Sequence, residues 1–360
     1  MRSGWWLALL LLGAAQAAPP PRFPAGSVWH RNIAAAPLHP DSATMIATLQ
    51  GLGGWGNGNR FQIDFSIHVR QLAAGESAPS LPVIAHRQFD DYYSPDCESL
   101  GTTMPVPADA AIEGQSGLSC DNANNDCHLL VVQGSRLYEA YSANVSQGSV
   151  DALCLAVWQL DASYPPEGRG EHCTSADAAG FPIAPLLVNA DEVASAVGVP
   201  NSDLGHAIRF ILPNARMASD AALGGRFGRL YVRPASHAGG PSGPTGSIPY
   251  GARLRLRADF PMSGYNAAAQ VILRTMQRYG IVLADGGNIA LTFESDRFTT
   301  AKWSQLGVTA QMFFQTAGAA RVEVGDFQVI DTGPRIAETY DCVRSVVTPS
   351  TLIFSNGFED

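Results

Sequence analysis

Between Phe61 and Arg70 the chain reads FQIDFSIHVR. Phe61, Ile63, Phe65, Ile67 and Val69 alternate without interruption with Gln62, Asp64, Ser66, His68 and Arg70. In an extended chain successive side chains point to opposite faces, so this alternation sorts the apolar set from the polar set; a helical period would mix them. The segment is expected to be a half-buried strand, and a strand with one apolar face needs partner strands. The sequence supplies candidates. HLLVVQGSRLYEAY holds two apolar runs joined at Gly134-Ser135, a favoured two-residue hairpin turn. CLAVWQL, HAIRFIL, RLYVRP, ARLRLRADF and RVEVGDFQVI are further strands. In ARLRLRADF, Arg253, Arg255 and Arg257 alternate with Leu254 and Leu256, which predicts a face that is solvated or open to a polar partner such as an acidic polysaccharide.

Helix signals are fewer. DSATMIATLQ can start from Asp41 as N-cap. NADEVASAV carries Asn189 with Glu192 three positions on, a capping-box pattern. NAAAQVILRTMQRYG opens at Asn266 and stops at Gly280. The expected class is mainly β, a β-sandwich or barrel-like fold with a few packed helices; α+β is the second choice.

The N-terminus reads as an export signal. Arg2 precedes a short apolar run from Trp5 to Leu12, and Ala15-Gln16-Ala17 is a small-x-small cleavage site. The run falls short of the roughly 20 residues a membrane span needs. Residues 1–17 are therefore expected to be a signal peptide, 18–345 a single β-rich domain and 346–360 a tail, in a secreted or periplasmic protein. That tail, ending TPSTLIFSNGFED, resembles short C-terminal tails of exported proteins of some Gram-negative bacteria. Charged residues are only 15% of the chain, the net charge is −9, and no basic run occurs, which argues against nucleic acid or an anionic membrane as partner.

All six cysteines lie beyond the cleavage site, and an even count in an exported chain predicts three disulfides. Cys120 with Cys127 closes a short loop. Six cysteines allow fifteen pairings, and loop length alone leaves them open; Cys154 with Cys173, and Cys97 with Cys342, is the arrangement that the loops suggest. No CxxC pair suggests a metal site.

The pieces FPAGSVW, AIEG, HLLVVQGSRLYEAY, CTSADAAGFPIAPLL, HAIRF, YVRPASHAGG, PYGARLRLRADF and QRYGIVLADGG occur in that order over nearly the whole mature chain. In them the chain resembles a family of secreted bacterial proteins to which no settled activity attaches. The resemblance implies one domain and supplies no reaction.

Candidate chemistry therefore rests on polar residues set beside apolar strands. These are Asp177, His206, His237 and Asp285, with Glu113 and His128 nearby. Acids and imidazoles at strand ends sit where loops assemble sites on a rigid scaffold. Asp177 with Asp285, or Glu113 with Asp177, would form a carboxylate pair for glycosidic bond cleavage, and a histidine with an acid would serve general base catalysis. HExxH, EF-hand and GxSxG patterns are absent, and GLGGWGNGNR lacks the ending of a phosphate loop. No motif names a cofactor. Each candidate has a plainer role open to it: Asp177 and Asp285 as turn formers, the histidines as hydrogen-bonded core residues, Glu139 as a cross-strand partner of an arginine. In HCTSADAAGFPIAP, FPIAP is expected in the core and TSAD as the turn into it. Two function classes follow. One is a secreted carbohydrate-active enzyme, a glycoside hydrolase or polysaccharide lyase. The alternative is a non-catalytic extracellular glycan-binding or surface protein using Trp55, Tyr92 and Tyr93.

Overall fold

The alternating segment is extended, with one interruption. Strands Ile63–Ile67 and Val69–Gln71 flank His68, and Phe61, Ile63, Ile67 and Val69 are buried. The break lets one stretch serve two sheets. Ile63–Ile67 pairs in parallel with Leu291–Glu294, and Val69–Gln71 with His128–Gln133. A second such break at Leu153 separates strand Ser149–Ala152 from strand Cys154–Gln159. Strands that change sheet at a bend form corners between packed layers. This computed structural model describes residues 22–121 and 125–347. The signal peptide expected at 1–17, and the tail beyond residue 347, lie outside the described residues.

The protein is mainly β, with few helices. A six-stranded sheet runs in the order Ile63–Ile67, Leu291–Glu294, Ile208–Leu212, Ile281–Gly286, Arg253–Leu256, Phe327–Val329. It is mixed: Ile208–Leu212 is parallel to Ile281–Gly286, and Arg253–Leu256 is antiparallel to both of its neighbours. The Gly134-Ser135 hairpin forms in the expected register, with Gln133 opposite Arg136, and is the centre of a four-stranded sheet closed by Val69–Gln71 and Cys154–Gln159. Another four-stranded sheet joins Thr103–Pro105, Ser80–Ala85, Ser149–Ala152 and Asn144–Ser146. Within RVEVGDFQVI only Phe327–Val329 is strand; Val324–Asp326 is a helical turn, where Glu323 and Asp326 cap each other.

The principal helix, Ala267–Arg278, packs Ala269, Ile272, Leu273 and Met276 into the largest apolar cluster, with Leu254, Ile281 and Leu283 from the sheet. Asn266 caps it by accepting from the Ala269 N–H at 2.8 Å. Gly280 ends it at φ +72°, where a β-carbon would stand 2.5 Å from the Leu254 carbonyl oxygen. Helix Ala190–Ala196 has the expected capping box of Asn189 and Glu192. No described helix is long and apolar enough to cross a membrane.

Three disulfides form, but two pairings differ from expectation. Cys120 bonds Cys127 as expected, while Cys97 bonds Cys154 and Cys173 bonds Cys342. The backbone dictates the exchange. Tyr93 and Glu98 donate to the carbonyls of Leu153 and Leu155, which brackets Cys154 against Cys97. A short ribbon of Gly170–Glu171 with Val343–Arg344 sets Cys342 beside Cys173.

The arginine row also departs from expectation. Arg253 is buried and donates to the carbonyls of Tyr279, Val28 and Arg31. Arg255 donates to Ile33, Ala34 and Ala36. Arg257 pairs with Asp259 and Asp326. The first two hold the N-terminal segment against the sheet edge, so the row is an anchor for the chain rather than a solvated face. Trp55, expected at the surface, is fully buried against Phe61, Phe210 and Phe327.

Candidate functional site

One guanidinium organises the site. Strand Ile208–Leu212 buries Ile208, Phe210 and Leu212 and sends Arg209 out of its other face. Arg209 Nη1 donates to Thr292 Oγ1 at 2.9 Å, Nε to Asp177 Oδ2 at 2.7 Å and Nη2 to Asp285 Oδ2 at 3.1 Å. Asp285 reaches this face through a register slip. Arg209 stands opposite Val282 and Phe210 opposite Leu283, but Ile211 stands opposite Asp285. One extra residue, Ala284, reverses the side-chain parity of the neighbouring strand and brings Asp285 onto the arginine's face.

Asp177 comes from the TSAD turn. Its Oδ1 accepts from the Ala179 N–H at 3.3 Å, and Asp285 Oδ1 accepts from the Gly286 N–H at 2.7 Å. Each acid is thus a turn former through one oxygen and an ion-pair partner through the other. FPIAP is core as expected, with Phe181, Ile183, Ala184 and Pro185 buried. Glu139 secures it: Oε1 accepts from the N–H groups of Ile183 and Ala184, and Oε2 from Trp158 Nε1. The cross-strand arginine partner expected for Glu139 is therefore replaced by these neutral N–H donors.

Two carboxylates share one cation, and this decides their protonation. Burial raises the Asp177 pKa against the pull of Arg209. Burial and the Asp177 charge push Asp285 up to about 7, again against Arg209. The shorter bond sets the guanidinium against Asp177, whose side chain is fully enclosed, while the Asp285 side chain is 24% exposed. Asp285 is accordingly the acid that exchanges its proton near neutrality, and it is the one that solvent reaches.

Asp285 and Asp177 line a cavity of about 570 Å³ together with His237. Tyr92, Tyr93, Tyr141 and Tyr340 supply aromatic wall, and Asp96, Asp126 and Arg229 add charge. His237 Nδ1 lies 2.7 Å from the Ala178 carbonyl oxygen. A carbonyl only accepts, so Nδ1 carries the hydrogen and Nε2 of the neutral ring is the acceptor. The ring stands edge-on to Tyr340, whose single hydroxyl hydrogen is shared between the Ala238 and Gly239 carbonyls and fixes the loop after His237. Burial first, then the Asp126 charge, pushes the Tyr141 hydroxyl well above its usual pKa and keeps it a donor.

The remaining candidates stand elsewhere. Glu113 and His128 form an ion pair, Oε2 to Nδ1 at 2.6 Å, behind the cavity wall. His128 Nε2 donates to the Ala176 carbonyl at 2.9 Å, so the pair braces the turn that presents Asp177. Burial opposes the charge on both residues, but their mutual attraction prevails: Glu113 is lowered and His128 is held at about 9. His206 does not join the cavity. It is buried beside the helix that starts at Ala190, with Nε2 at 3.3 Å from Glu192 and Nδ1 at 2.7 Å from the Ala207 carbonyl. Burial, then the Arg22 charge, lowers its pKa. The imidazole at the opening of HAIRF thus stands in the bend before the strand, whereas Arg209, three residues on, belongs to the site. Sequence reasoning passed over Arg209, Tyr141, Asp126 and Tyr340. A lone guanidinium in the apolar run HAIRFIL was the available signal, since a buried charge requires partners. Among the described residues no group of three or more His, Cys, Asp or Glu is placed to hold a metal ion.

Comparison with protein-family models, curated proteins and solved structures gives no match for this chain.

The buried acids impose a pH dependence. Burial holds Glu139 at about 7, Asp285 at about 7 and Glu294 at about 8. Unfolded carboxyls titrate at about 4 to 4.5. Between those limits the folded chain binds more protons than the unfolded chain, so stability falls as pH rises. His128, raised to about 9, extends the fall beyond the ordinary histidine range. The depressed acids Glu113 and Glu192 act only below that window. Above roughly pH 6.5, where the lowered histidines His68 and His206 no longer act in the opposite sense, scanning calorimetry is expected to show Tm declining to about pH 9. A flat or rising Tm across that range would contradict the protonation states assigned here.

Proposed function

We propose that the protein is an exported carbohydrate-active enzyme, a glycoside hydrolase or polysaccharide lyase, in which Asp285 is the general acid and His237 the general base. The observation that carries this reading is the Asp177–Arg209–Asp285 arrangement at the wall of a concave cavity. One buried carboxylate takes the cation and its neighbour keeps a proton near pH 7, the separation that acid–base catalysis needs. Asp285 would protonate the leaving glycosidic oxygen. His237 Nε2 would take a proton from water in hydrolysis, or from the carbon beside a uronate carboxylate in elimination. The tyrosines are suited to sugar faces and hydroxyls, being apolar in body and polar at the tip. Asp177 is enclosed with both oxygens engaged, and so acts through Asp285 as a positioning residue. Export is supported by the signal-like start and by three disulfides, which persist in oxidising compartments.

The glycan-binding alternative loses Trp55 to the core, and Tyr92 and Tyr93 line the same concavity as the acids rather than a flat strip. The test is incubation of the exported protein with neutral and uronate-containing polysaccharides. New reducing ends are expected from hydrolysis, and reducing ends with ultraviolet absorbance of an unsaturated uronate from elimination. Glycan binding with neither product would establish the non-catalytic alternative.

A further inference from the structure

A second cavity, of about 420 Å³, shares no lining residue with the first. Its walls are largely apolar and include Trp29, Trp158, Tyr164 and Phe181. Trp29 meets Phe181 edge-on at 4.9 Å between centroids, and Trp158 lies 5.1 Å from Tyr164. Into this aromatic setting come Arg31 and Arg253. Neither is paired with a carboxylate among the described residues. Two further charged residues line the cavity: Arg233, which pairs with Glu171, and Asp331, an exposed carboxylate that accepts from the Gly333 N–H.

Arg253 is 3% exposed and bonds only to backbone carbonyls, through Nε to Tyr279, Nη1 to Val28 and Nη2 to Arg31. A guanidinium carries two hydrogens on each Nη. These bonds therefore leave one N–H on each Nη free to donate to an anion. A buried cation without a counter-ion is costly, and burial, with Arg31 adding to it, depresses the Arg253 pKa to about 10. An anion at this place would remove that cost. One carboxylate on an apolar body matches both the cationic and the apolar parts of the lining.

We propose that this cavity binds a small amphipathic carboxylate, its ring against Trp29, Tyr164 and Phe181 and its carboxylate on Arg31 and Arg253. The site is independent of the catalytic reading and stands or falls separately from it.

The test is titration with 1-naphthoate and with the isosteric, uncharged 1-naphthamide, followed by tryptophan fluorescence and calorimetry. The acid is expected to bind at least tenfold more tightly than the amide. Arg31 is exposed and its side chain makes no hydrogen bond to a described residue, so Arg31→Gln is expected to fold normally and to weaken naphthoate about tenfold while leaving naphthamide unchanged. Arg253→Lys, which keeps a charge but loses the guanidinium N–H groups, is expected to abolish the preference for the acid. Equal affinity for acid and amide, binding of neither, or naphthoate binding unaltered in Arg31→Gln would overturn the proposal.

Discussion

Arg209→Gln is expected to destabilise the fold by about 3–5 kcal/mol. Most of that loss comes from what stays behind rather than from the attraction removed. Asp177 is buried, Asp285 beside it is an acid, and the further cation it feels, His128, is already paired with Glu113. Glutamine cannot neutralise it, so the carboxyl must either remain charged without a counter-ion or take up a proton, and its bond to Nε is lost in both cases. The partners of the other two nitrogens, Thr292 and Asp285, are left in the same position. Denaturant unfolding of the single variants and of Arg209→Gln with Asp177→Asn measures the effect directly. The double variant is expected to be clearly more stable than the sum of its singles predicts, because the second change removes the stranded charge. Strict additivity would show that the pair contributes nothing beyond its separate side chains.

Asp285→Asn is expected to lower activity on the responsive glycan by about 10²–10⁴-fold, the usual contribution of a general acid. The fold should be nearly unaffected, within about 1 kcal/mol, because an asparagine oxygen can still accept from Arg209 or from Gly286. His237→Gln should reduce activity in a comparable way while keeping a side chain able to bond the Ala178 carbonyl. Asp177→Asn is different in kind. It leaves both catalytic groups in place but removes the charge that holds the proton on Asp285 and frees Arg209 to stabilise the ionised form. Its expected signature is a pH–rate profile whose upper limb moves to lower pH. A purely structural role for Asp177 would lower stability without moving that limb.

Much of the scaffold was legible because it obeys local rules. The alternation of residues 61–70, the Gly134-Ser135 turn, the Asn266 cap and the Gly280 stop each appear where side-chain period and backbone freedom require them. Asp177, His237 and Asp285 were legible as a group for a related reason: acids and imidazoles beside glycine at strand ends line one cavity. What the sequence concealed depends on three-dimensional pairing. Parity along Ile281–Gly286 places Ala284, not Asp285, opposite Ile211, and only the extra residue in the register reverses this. His206 lies two residues before the strand that carries Arg209, yet one serves the helix beside the N-terminal segment and the other the cavity. The arginine row looked solvent-facing because a wet face and a face covered by a distant chain segment have the same alternation. The disulfides of Cys97, Cys154, Cys173 and Cys342 depend on which strands become neighbours, and loop length carries no such information.

Acid catalysis at this site depends above all on a proton that stays on Asp285 near neutral pH while the Asp177–Arg209 ion pair forms behind it. Carboxyl ¹³C NMR of the protein labelled at aspartate, with the signal assigned by its loss in Asp285→Asn, reads that proton directly. The predicted result is a titration midpoint for Asp285 of about 7, falling towards the ordinary carboxylate range in Asp177→Asn. A midpoint near the ordinary aspartate value of about 4 in the unmodified protein would contradict it.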